Sequence, residues 1–87
     1  MQDTQESAEK NHYICQTYVE GKGGLQLGKQ FQYTSESQAQ ERAEREFRAE
    51  DCIGADAYMI IEDQGSEEVS APMFIVRLGN VPEFDGS

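Results

Sequence analysis

A single helical stripe, flanked on both sides by strand-patterned sequence, constrains this chain most. Residues 38–48 are built from strong helix formers, and Ala39, Ala43 and Phe47 recur at i, i+4 and i+8. A stripe that narrow cannot make a core alone; it needs a sheet to lie on. Two of its three members are alanine, so the helix axis is expected to approach that sheet closely. Thr34 or Ser35 can cap the helix, Ser35 with Gln38 fits the capping-box pattern, and Gly54 reads as the stop.

The flanks supply the sheet. Tyr13 to Glu20 is rich in β-branched and aromatic residues, with Tyr13, Cys15, Thr17 and Val19 on one face and Ile14, Gln16 and Tyr18 on the other. Gly21-Lys22-Gly23-Gly24 reads as a turn, and Leu25, Leu27, Phe31 and Tyr33 resume on one strand face. Gly28 marks a bulge or bend in that run. Beyond the helix, Ala57 to Glu62 reads as a strand, Asp63 to Glu68 as a turn and Met73 to Leu78 as a strand. Pro72 belongs at the start of that last strand or on an edge. The expected fold is α+β: a four-stranded antiparallel sheet with one helix packed on one face, in the order β-β-α-β-β. The expected organisation is a disordered tail over 1–11, one domain over 12–79 and a second tail over 80–87, in which Val81 and Phe84 could dock.

At 87 residues there is room for one domain with a thin core. The net charge of −10, from 17 acids and 7 bases, argues against direct nucleic-acid binding and against docking on an anionic membrane. The charge is uneven. Residues 12–34 are slightly basic, with Lys22 and Lys29 against Glu20. Residues 52–69 hold Asp56, Glu62, Asp63, Glu67 and Glu68 with no base. Glu62, Asp63, Glu67 and Glu68 are therefore the candidate partner-binding residues, set to steer a basic surface. On the helix, Glu41, Glu44, Arg45 and Arg48 cancel, which weakens a nucleic-acid-mimic reading without removing it.

Motifs for chemistry are missing or incomplete. His12, the only histidine, has no partner in a local motif and reads as a surface residue. The glycine-rich turn lies between strands rather than before a helix, unlike a phosphate loop. The acids around residue 65 lack calcium-loop spacing. Glu46 and Glu50 fall beside the apolar stripe and read as stems on the core edge with carboxylates in water. Cys15 and Cys52 form no C-x-x-C pair and read as reduced thiols of a cytoplasmic protein. No apolar run is long enough to span a bilayer. No enzyme activity, cofactor or metal is expected.

The string Tyr13-Ile14-Cys15-Gln16-Thr17-Tyr18-Val19-Glu20-Gly21-Lys22-Gly23, followed by Ala39-Gln40-Glu41-Arg42-Ala43-Glu44-Arg45, resembles a family of small uncharacterised bacterial proteins. They share a strand, a G-K-G turn and an A-x-x-x-A-x-R helix, and the resemblance spans residues 12–80. It implies a bacterial, cytoplasmic origin and carries over no activity and no functional residue.

The function these features favour is a small acidic protein-interaction module, working through a sheet edge or open sheet face, with a homodimer among its expected forms. The alternatives are an acidic inhibitor or nucleic-acid mimic of the anti-defence type, blocking a basic nucleic-acid-binding site, and a small ligand-binding domain. Titration of the unfolded protein under non-reducing conditions is expected to find two reactive thiols; none would mean that Cys15 and Cys52 are joined.

Overall fold

A computed structural model describes residues 9–83. The element order is β1 (Glu9–Gly21), β2 (Gly24–Tyr33), α1 (Glu36–Arg48), β3 (Gly54–Asp63), β4 (Glu68–Val69) and β5 (Met73–Gly79). The sheet is antiparallel throughout, with β2 on one edge, β1 and β3 in the centre, and β4 and β5 sharing the far side of β3. The expected α+β arrangement of one helix on an antiparallel sheet is observed. β1 starts earlier than the strand pattern suggests, because Glu9, Lys10 and Asn11 pair with Asp63, Glu62 and Ile61. The expected domain boundary at residue 12 thus falls inside a strand. The rest of the N-terminal tail, and Phe84 in the C-terminal one, lie outside the described residues.

Local chemistry explains the helix ends. The Ser35 hydroxyl accepts from the Gln38 N–H at 3.3 Å, and Ser35 is extended, as an N-cap should be. The helix stops at Arg48, not at Gly54. Ala49 caps it, Glu50 turns left-handed at φ 63°, and its N–H donates to the Phe47 carbonyl at 3.2 Å. Gly54 instead opens β3 against the Asn80 carbonyl.

The helix covers one face of the sheet with small residues. Cys15, Ala39, Ala43, Ala55 and Ala57 are fully buried together, and Phe31, Tyr33, Ile75 and Leu78 pack around them. Phe47 is not the third member of the buried stripe. It remains 37% exposed, while Glu46 is buried in line with Ala39 and Ala43. The reason is the helical pitch: i+7 falls closer to the Ala39–Ala43 line than i+8. Phe47 lies instead over Gly79, whose positive φ and missing side chain admit the ring.

A β-bulge in β2 overturns the expected face assignment of that strand. Gln16 pairs with Gln30 and Tyr18 with Leu27, so Gly28 and Lys29 together oppose Thr17. The extra residue switches faces: Phe31 and Tyr33 lie on the helix side with Cys15 and Tyr13, whereas Leu25 and Leu27 lie on the opposite side with Glu20 and Tyr18. The bulge is plugged by the Thr17 hydroxyl, which accepts from the Lys29 N–H at 2.7 Å and occupies the space a side chain at residue 28 would need. Gly28→Ala is expected to cost about 1–3 kcal/mol of stability by overpacking. In a double-mutant cycle Thr17→Ala is expected to reduce that cost, because it removes the clashing hydroxyl. Denaturant unfolding of the four proteins measures it.

Candidate functional site

The sheet face away from the helix carries the large side chains. Cross-strand pairing brings His12, Ile14, Gln16 and Tyr18 of β1 alongside Ile60, Tyr58 and Asp56 of β3, with Phe74 and Arg77 of β5 beyond. A bulge at Ile75 sets the spacing on β5: Val76 pairs with Ala57 but Phe74 with Tyr58. Tyr58 and Phe74 meet edge to face, ring centres 5.9 Å apart. Tyr18, Tyr58, Ile60 and Phe74 line a depression of about 350 Å³. Pro72 and Pro82 form its apolar rim, and Glu83 and Arg77 are its charged groups.

Asp56 belongs to this face. By sequence it groups with the acids of residues 52–69, yet it is fully buried. The Tyr18 hydroxyl donates to Asp56 Oδ2 at 3.2 Å, and Arg77 Nε lies 3.6 Å from the same oxygen. Among the described residues Asp56 Oδ1 and Arg77 Nε have no hydrogen-bond partner. The Arg77 guanidinium stacks 4.1 Å above the Phe74 ring and donates from Nη2 to the Pro82 carbonyl, so one side chain ties β3, β5 and the 80–83 segment. Burial pushes the Asp56 carboxyl above its usual value; the Tyr18 hydrogen bond and the Arg77 charge oppose that shift only in part. Burial also raises the Tyr18 phenol, aided by the neighbouring Asp56 charge.

His12 is not a free surface residue. The Gln32 amide donates to Nδ1, which leaves the proton on Nε2 to donate to Glu62 Oε1 at 2.8 Å. The histidine's two ring nitrogens are therefore both engaged across three strands. On the helix side, Glu46 lies 3.6 Å from Arg42 and 3.8 Å from Lys29, and Arg42 stacks on Phe31. The Glu46 carboxylate is thus paired rather than simply solvated, whereas Glu50 is exposed. Cys15 and Cys52 are free thiols, and burial, helped by Glu46 and Asp56, pushes the Cys15 thiol up to about 12.

The four candidate acids do not converge on one point. Glu62 is bound to His12. Asp63 Oδ1 accepts from the Gly65 N–H at 3.0 Å, and its carbonyl accepts from the N–H of Glu67, itself left-handed at φ 62°. Glu68 is exposed in β4 opposite Asp63. Glu9 pairs with Asp63 from the other side, so Glu9, Asp63 and Glu68 stand in a row across three strands. Among the described residues no group of three or more His, Cys, Asp or Glu could hold a metal ion, and no helix is long and apolar enough to cross a membrane. Comparison with protein-family models, with curated proteins and with solved structures finds no match to this chain.

The buried carboxyl makes a pH prediction. A folded-state value above the unfolded one means that ionised Asp56 costs stability at neutral pH. As pH falls through the raised native value the folded protein takes up a proton first, so this group's contribution to stability rises. The gain is complete below the ordinary carboxyl value of 3.8. Asp56→Asn lacks that gain. Between pH 7 and pH 4 the wild-type protein is expected to gain stability relative to Asp56→Asn by urea unfolding; parallel profiles would place an ordinary carboxyl there.

Proposed function

We propose that this protein is a small non-enzymatic protein-interaction module of the bacterial cytoplasm, and that the sheet face turned away from the helix is its binding surface. The observation that carries this reading is the aromatic depression of Tyr18, Tyr58, Ile60 and Phe74. Rigid aromatic side chains in a shallow pocket are the usual anchors of protein interfaces. Asp56 holds the Tyr18 hydroxyl, Arg77 stacks on Phe74, and Pro72 and Pro82 add rigid lining, so little is left to order on binding. The depression is open on its outer side, which suits a side chain or short segment of a partner better than an enclosed small molecule.

A second reading has its own support. The row of Glu9, Asp63 and Glu68, with exposed Glu67 beside it, is a compact acidic strip of the kind an inhibitor of a basic nucleic-acid-binding site would present.

The two separate on one partner, isolated from the native host and purified. Under the first reading Tyr58→Ser weakens binding about tenfold or more, a loss of about 1.4 kcal/mol. Under the second, Glu67→Gln with Glu68→Gln slows association and flattens its salt dependence, while Tyr58→Ser has little effect. Unchanged affinity of a folded Tyr58→Ser protein overturns the sheet-face reading.

A further inference from the structure

We infer that β2 is the docking edge for a second copy of this chain, the two β2 strands pairing antiparallel about a two-fold axis. Among the described residues β2 pairs with β1 alone, so the backbone groups on its outer side meet no other described strand. An edge of that kind is normally blunted by charge, proline or a bulge. Over residues 24–27 none of these is present: β2 contains no proline and no acid, its one charged residue, Lys29, is turned toward Glu46 at 3.8 Å, and its bulge lies beyond, at Gly28–Lys29. The other edge is divided between β4 and β5, with Pro72 between them and a bulge at Ile75.

Charge selects the second copy as occupant. In a chain of net charge −10, residues 21–35 contain no Asp or Glu. Two such bodies repel wherever acidic surfaces meet, and an isologous contact places the same patch on both sides. The acid-free edge is where that contact costs least. It is also where apolar surface is left uncovered: Leu27 is 72% exposed and Leu25 40% exposed, both on the same sheet face. Gln26 lies between them. A two-fold axis at Gln26 sets Leu25 of each copy opposite Leu27 of the other and Gln26 opposite Gln26. The bulge at Gly28–Lys29 ends the regular stretch, so the contact is short and the dimer weak.

This interface is independent of the sheet-face reading, and its test needs no partner. Sedimentation equilibrium over roughly 10 µM to 1 mM, a range suited to a weak dimer, is expected to show the mass rising toward twofold. The association tightens as salt screens the mutual repulsion. Leu27→Lys is expected to stay at one-fold mass with unchanged thermal unfolding. Under oxidation Gln26→Cys in a Cys52→Ser background is expected to form a disulfide-linked dimer, and Gln32→Cys in that background is not. A wild-type protein that stays monomeric across the range, or a dimer that Leu27→Lys leaves intact, overturns the inference.

Discussion

The contact of Ala39 and Ala43 with Cys15, Ala55 and Ala57 is the constraint on which the rest of the structure depends. Every fully buried member of that layer is small, so helix and sheet approach closely and leave no room for a large side chain between them. The consequence is a division of labour between the two sheet faces. The helix side is a thin layer edged by Phe31, Tyr33 and Leu78, with Arg42 and Glu46 held over its margin. The bulky residues Tyr18, Tyr58, Ile60 and Phe74 are displaced to the other face, where Tyr18 is buried and Tyr58, Ile60 and Phe74 stay partly exposed around a depression.

That outer face contains one charged pair within an aromatic setting. Asp56 and Arg77 are weak evidence for added stability, because each loses hydration on burial. Their effect is connectivity. Through Tyr18, Phe74 and the Pro82 carbonyl they link β1, β3, β5 and the segment after β5. An apolar pair of the same volume would fill the space without fixing where that segment lies.

The parts of this fold that are legible in the sequence are those decided by neighbours. The capping pair Ser35 and Gln38, the glycine turn, the bulge at Gly28 and Pro72 before β5 are local signals with local causes. What the sequence hides depends on distant partners or on phase. Asp56 reads as a surface acid because charged residues are seldom buried, and its partners Tyr18 and Arg77 come from other strands. His12 reads as unpartnered because Glu62 lies fifty positions away. Glu46 and Phe47 exchange roles because a heptad step follows the helix face better than an octad step. The candidate acids were visible as a cluster, but their hydrogen bonds, with Asp63 closing its own turn, were not.

The bulge in β2 has an evolutionary side as well. Counted without it, the run from Leu25 to Tyr33 is an ordinary amphipathic strand with all four large apolar residues facing the helix. The extra residue at Gly28 and Lys29 divides it into two half-strands of opposite polarity. Loss of a single codon there would remove the bulge and leave the pairing on either side of it unchanged, so both leucines would still face away from the helix. The same chain would then have the same two faces and a longer, plainer edge. Reading-frame-preserving deletion at this one position is thus a short mutational path between an edge interrupted by a bulge and one free to pair along its whole length.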